Sequence, residues 1–509
     1  VAIKRYTADA DTTITNAYKA NLSTRGVSGN MGQSDILEVF SIYSQASTGS
    51  SELERILIKF PVTGTTAGYI SYDRTQGDIP SSGSVSFYLR LFNAAHSQTT
   101  PKDYNLIVDP VSQSWDEGLG LDMEEYSDED AANWITASVD GSSATLWTTA
   151  GGDYLVDSSS SFTASFATGF EDMELDITTL VEQWISSSNN NQTDFDMGQK
   201  SNYGVSVHLK SSEETAEKSY YTKKFFARGS QFFFKRPVVE ARWDSSRKDN
   251  RGSFYYSSSM APAADNLNTI YLYNYVRGQL KNIPGIGASD PIYISLYSGS
   301  AANSLPSGSK LLLSTGGSVD SGDLYNATGG FVSTGIYSAS LAFTGSGSLT
   351  RVFDVWHSSS VEYFSGTIDP KNLTQTWPGQ AFNPSQQYVS KITNLKSSYT
   401  TKNKLARLRL YTRKKDWNPN IYSVASAVAP IDLVNDAYYK LIRATDGLEI
   451  ISYGTGSDNN TRLSYDASGS YFDLDMSILE ADSSYTIKFV YYLNGQYAEQ
   501  SEEFTFRVE

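Results

Sequence analysis

Three β-sandwiches in series, jelly-roll or immunoglobulin-like and all-β apart from one short helix in the first, are the expectation for this 509-residue chain. Apolar residues come mostly in short alternating runs separated by Ser, Gly, Asn and Asp clusters, which is how strands with one buried face read. Tyrosine, suited to pleated half-buried surfaces, stands at 35 copies against 14 prolines. The length suffices for about three domains of roughly 150 residues each.

The periodicity predicts a helix over 176–186, within LDITTLVEQWI (Leu175 to Ile185). Ile177, Leu180, Val181, Trp184 and Ile185 recur at i, i+3, i+4, i+7 and i+8 as one apolar stripe. Asp176 is placed to cap the free N–H groups at its start. Trp184, at the end of the stripe, is expected to be the best-buried aromatic. NYGVSVHL (Asn202 to Leu209) then alternates, with Val205, Val207 and Leu209 toward a core and Ser206 and His208 on a polar face. RPVVEARW (Arg236 to Trp243) closes the segment as an apolar strand.

Ahead of these, ADADTTITNAY (Ala8 to Tyr18), SDILEVF (Ser34 to Phe40), RILIKFPV (Arg55 to Val62) and YLRLFNA (Tyr88 to Ala94) read as strands. This order, with a helix ending in Trp, Asn-Tyr-Gly before a strand, and Arg-Pro before a last strand, resembles the DNRLRE (disaggregatase-related) domain. That family is a β-sandwich of surface and extracellular proteins. The resemblance covers roughly residues 1–243 and nothing past Trp243, and it implies one sandwich there.

Asp244 to Gly252, DSSRKDNRG, is polar and charged enough to be a linker. A second Gly/Ser-rich sandwich is expected over 253–370, from PIYISLYSG, GGFVSTGIYSASLAF, LTRVFDVWH and VEYFSGTI. LNTIYLYNYVRGQL (Leu267 to Leu280) fits neither period cleanly and is open to helix or strand. Residues 372–387, with their Trp-Pro and Asn-Pro pairs, look like a second connection. The third block, 388–509, offers about seven strands in about 120 residues, an immunoglobulin-like or fibronectin-like pattern. Asp446-Gly447 and Asn494-Gly495 are hairpin-turn signals within it.

No cysteine is present, so disulfides, thiolate metal sites and thiol nucleophiles are excluded. The first ten residues, VAIKRYTADA, lack the apolar core of a secretory signal, and no run approaches the roughly 20 apolar residues of a membrane span. Synthesis in the cytoplasm is therefore expected, without a membrane partner. Net charge is −16 and uneven. Residues 101–200 hold two lysines against twenty carboxylates, whereas Lys396 to Lys415 holds eight basic residues and no acid. Opposite patches of this kind can dock copies of the chain or a complementary neighbour. Nucleic acid is not expected, because a basic run inside so acidic a chain lacks the footprint of a nucleic-acid binder.

The densest chemistry is WDEGLGLDMEEYSDED (Trp115 to Asp130), with carboxylates at Asp116, Glu117, Asp122, Glu124, Glu125, Asp128, Glu129 and Asp130. Such a set could hold Ca²⁺, although the EF-hand order of ligands is missing. A solvated loop is the plainer reading. A glycosidase pair would need two acids facing each other across about 5–9 Å of groove, which chain spacing does not establish. The three histidines, His96, His208 and His357, occupy no metal-spaced motif, and no Gly-x-Ser-x-Gly elbow or Walker loop occurs. Tyr255-Tyr256 and Tyr491-Tyr492 could stack on sugars, but tyrosine here is mostly sheet filler with its hydroxyl at the rim. No catalytic, cofactor or metal residue is assigned.

A cysteine-free acidic chain of serial sandwiches resembles the virion structural proteins of tailed bacteriophages. The expected function is thus a non-enzymatic virion component of neck, tail, fibre or capsid exterior, oligomeric and in contact with other virion proteins. A carbohydrate-binding adhesin or receptor-binding protein facing a host-surface glycan is the alternative, and a polysaccharide-active enzyme ranks third.

Overall fold

The structure is a computed structural model that describes residues 2–95, 101–126, 128–187, 200–259, 261–300, 305–306, 308–317, 324–343, 349–359, 361–371, 387–402, 405–415, 417, 421, 431–493 and 495–509. His96, most of the 372–387 connection and Asn494 lie outside the described residues. The chain is all-β with few helices, in two compact units: Ala2–Asp244 with Gly456–Asn460, and Ser245–Thr455 with Thr461–Glu509.

The first unit pairs two antiparallel sheets. One runs in the order Ile3–Thr7, Val238–Arg242, Ser86–Leu91, Met173–Asp176. The other runs Tyr220–Phe226, Ile36–Tyr43, Ser51–Lys59, Val205–Leu209, Tyr104–Pro110, Phe162–Phe166, with Ala10–Thr15 also laid against Ser51–Lys59. Leu37, Val39, Ile56, Ile58, Phe87, Leu89, Val205, Val207 and Val239 fill one core. The helix spans Thr178–Ser186 and sends Leu180, Val181 and Trp184 into that core. Asp176, expected as the cap, instead ends the preceding strand and accepts the Thr178 N–H at 2.9 Å; the cap position is held by Ile177, which makes no side-chain cap bond. Trp184 is wholly buried, and among the described residues its indole Nε1 has no partner, so packing holds it.

The Asn-Tyr-Gly signature has a mechanical role. Asn202 donates to the Phe60 carbonyl at 2.8 Å and accepts the Gly204 N–H at 3.2 Å, closing the turn into the strand. Gly204 has φ +86, and a β-carbon there would collide with the Ile58 carbonyl oxygen across the ladder.

One expectation is corrected. Ser206 does not face solvent: it is wholly buried, because residues 111–154 fold back over that side of the sheet. Leu57, the cross-strand partner of Ser206, joins Ile14, Val111, Trp115, Trp134, Ala137 and Trp147 in a second core. His208, expected at the surface, stacks on Tyr154 at 5.3 Å and reaches Asp109 at 3.2 Å. A second layer of four-residue and five-residue strands over the sheet gave no local signal.

The second unit contains both remaining blocks, each with its own sheets. In the 253–370 block the order is Asn268–Tyr273, Ile336–Phe343, Ala327–Ser333, Ile292–Gly299, Arg351–Ser358, Val361–Ile368. Ala327–Ser333 changes partner midway: Ala327 to Gly329 pair with Ile292–Gly299, and Gly330 onward with Ile336–Phe343. Strands that switch sheets form the corners of a sandwich. Gly329 sits at this corner, 2.8 Å from the Ser338 carbonyl for any added β-carbon. The ambiguous 267–280 segment is a strand, Asn268–Tyr273, followed by a hairpin of Tyr275–Val276 with Gln279–Leu280.

The last block has the two sheets of a sandwich: Tyr388–Ile392, Leu405–Lys414, Gly469–Asp475, Ser464–Asp466, and Ser398–Tyr399, Phe504–Val508, Ser483–Leu493, Ala437–Arg443, Glu449–Ile451. Asp446-Gly447 lies in the turn between Ala437–Arg443 and Glu449–Ile451. Tyr485 donates its hydroxyl to the Glu480 carbonyl and accepts the Glu480 N–H, both at 2.9 Å. This is the corner contact common in immunoglobulin-like sandwiches.

The expected linker is a strap. Tyr465 donates to Arg247 O at 2.9 Å, Asp249 donates to Tyr465 O at 3.1 Å, and Arg251 pairs with Asp354. Residues 247–251 thereby bond to both blocks, which lie in one compact unit.

Candidate functional site

Glu117 opens the acidic segment and anchors it. It accepts the Asp11 N–H at 2.8 Å and forms a two-pronged pair with the Arg228 guanidinium. Arg228 in turn donates its backbone N–H to Asp11 at 2.6 Å. Burial pushes the Asp11 carboxyl up to about 7, against the pull of that N–H. Buried Asn30 then stitches the loop from beneath, donating to Glu117 O and Ala132 O and accepting from Gly32 and Gly120.

Further along, Asp122 and Asp128 serve the loop's own backbone, while Glu124 and Glu129 tie it to residues 20 and 28. Asp122 accepts three successive N–H groups, from Glu124, Glu125 and Tyr126, which hold its carboxyl below the usual range. Asp128 accepts from Leu119, Glu124 from Ala20, and Glu129 from the Ser28 hydroxyl. The segment is a braced loop, not a freely solvated one. Its exposed apolar residues are Leu119, Leu121 and Tyr126, at 75%, 51% and 63% exposure. Among the described residues no three His, Asp or Glu side chains gather as a cluster able to hold a metal ion.

The basic run is more engaged than its sequence implies. Arg407 forms two bonds of 2.8 and 2.9 Å with Asp473, and Arg409 two of 3.0 Å with Asp466, while both guanidiniums lie over the Tyr471 ring. Their acids come from the neighbouring strands. Arg413 covers Trp417. The exposed cations that remain are Lys396, Lys402, Lys414 and Lys415; Lys404 lies outside the described residues.

A serine hydroxyl meets a histidine in the second unit: Ser295 Oγ and His357 Nε2 are 2.8 Å apart. Ser295 is wholly buried in mid-strand and donates its proton to Asn326 Oδ1 at 2.7 Å, an oxygen that Lys310 also approaches. His357 is kept neutral, first by burial and then by the Lys310 charge. The serine proton is directed at Asn326, and the ring also bonds the Ser359 backbone, so the contact reads as part of a buried polar network.

Sequence reasoning missed a groove of about 470 Å³ in the first unit, lined by Glu38, Phe40, Ile42, Tyr43, Ser44, Gln45, Tyr221 and Thr222. It opens at a bulge. The register between the two strands passes from Tyr220↔Ser41 to Lys223↔Val39, so that Tyr221 and Thr222 together oppose Phe40. The break in alternation at Tyr220-Tyr221 was the available signal. Tyr255 and Tyr256 line a polar cleft of the second unit, about 680 Å³, with Asn266, Asn268, Asp432 and Tyr465. Tyr491 is buried against Ser390, whereas Tyr492 is exposed and paired with Tyr497.

Compared with known proteins, the sequence matches no family model and no curated protein.

Proposed function

We propose that this chain is a non-enzymatic structural component of a tailed-bacteriophage virion, at the neck, tail or capsid exterior. It works by docking one sandwich on the particle and displaying another. The observation that carries this reading is the braced acidic loop. Its carboxylates stiffen it from within, while Leu119, Leu121 and Tyr126 stand out among acids. A rigid apolar anchor rimmed by one sign of charge suits a socket with a basic rim, on another virion protein or another copy of this chain. Pre-ordering lowers the entropic cost of such a contact. The likeness of residues 1–243 to a family of surface sandwiches supports the same reading.

The test is incorporation. Leu121→Ser with Tyr126→Ser removes two exposed apolar groups and should leave the melting temperature of the isolated chain unchanged. Particles assembled with this variant should lack the protein, whereas the parent chain co-purifies at a fixed stoichiometry. Normal incorporation of the variant would end the docking argument, and absence of the parent chain from purified particles would end the virion reading.

A further inference from the structure

We propose that the groove at the Tyr221-Thr222 bulge binds a neutral saccharide, an activity separate from particle assembly. Three aromatic rings, Phe40, Tyr43 and Tyr221, line it, and Tyr221 is half exposed. Among the described residues none of the three stacks on another ring or on a cation, although rings elsewhere in this unit do, such as Tyr104 on Phe166 at 5.2 Å. A pyranose has an apolar C–H face and a rim of hydroxyls, so it needs an open ring face with an oriented acceptor beside it.

Glu38 is that acceptor. Its Oε1 takes the Thr222 hydroxyl at 2.5 Å and the Lys224 ammonium at 3.1 Å, which fixes the carboxylate and offsets its charge. Its Oε2 receives no bond among the described residues. A carboxylate already paired with lysine favours a neutral ligand over a cation, and the same carboxylate in the groove wall disfavours an anion. The bulge also interrupts the ladder at this edge, which argues against addition of a partner strand. The volume falls in the range of small-molecule sites, roughly 300–1,000 Å³.

The experiment uses the full chain on an array of neutral and acidic oligosaccharides, followed by calorimetry with the strongest neutral probe. Tyr221→Ala and Glu38→Gln should each weaken binding about tenfold or more, while Val156→Ala, exposed and outside the groove's lining, should not change it. Tyr221 packs little, so its variant keeps the fold and decides the matter even where Glu38→Gln does not fold. Failure to bind any neutral probe, selection of acidic probes only, or full binding by Tyr221→Ala would overturn the proposal. Loss of particle incorporation leaves it standing.

Discussion

The Arg251 guanidinium holds the Asp354 carboxylate through two bonds of 2.6 Å, and Asp354 is wholly buried. The Trp356 indole adds a third bond at 3.0 Å to the same carboxylate. Buried ions tolerate no missing partner, so Asp354→Ala should destabilise the second unit by about 3–5 kcal/mol. The double change Arg251→Met with Asp354→Leu should recover much of that loss. Urea unfolding of the two variants checks both statements, and equal losses for single and double variants would contradict them.

Trp184 gives a sharper contrast. Trp184→Ala should cost about 3–5 kcal/mol by opening a cavity under the helix. Trp184→Phe should cost far less, because the indole N–H it removes is buried with no partner among the described residues. Thermal melts of the two variants should differ clearly.

Acid sensitivity of the first unit should trace to Glu240. Burial pushes its carboxyl up, but Arg5, Arg90 and Arg242 together outweigh burial and bring it from 4.5 down to about 2. The folded value lies below the unfolded one, so this stabilisation is complete above about pH 4.5 and is lost as pH falls toward 2. It amounts to about 3 kcal/mol at neutral pH. Glu240→Gln should lower stability at pH 7 and flatten the acid limb between those values; an unchanged limb in pH-dependent denaturation would reject the assignment.

Charge docking should rest on lysines, not on the arginines. Reversing Arg407 and Arg409 would set glutamates opposite Asp473 and Asp466 and unsettle the sheet itself. Reversing the exposed Lys396, Lys402, Lys414 and Lys415 should keep the fold while slowing association. Raising salt from about 0.15 M toward 1 M, which shortens screening from roughly 8 to 3 Å, should slow the parent in the same way. Stopped-flow or surface-binding rates that are insensitive to both changes would leave the basic strand as a solvated face.

Several elements are legible in the chain itself. The stripe from Ile177 to Trp184 is a local fact, since helix spacing places those side chains together whatever surrounds them. Alternation over 34–62 and 202–209 likewise marks strands and one of their faces. For 267–280 the periods conflict, and pairing with Ile336–Phe343 decides for a strand.

The all-β class, the short helix and the positions of many strands can be read from residue order, because each follows from periodicities within about ten residues. What lies opposite each strand is a matter of long-range packing. Ser206 is buried because a second layer closes over it, and Arg409 is paired because Asp466 stands across the sheet, 57 residues away in the chain. The groove likewise joins Glu38 to Thr222 across 184 residues, at a bulge that exists only once the two strands pair. Periodicity records which face of a strand turns inward; it carries no record of the neighbour that meets the other face.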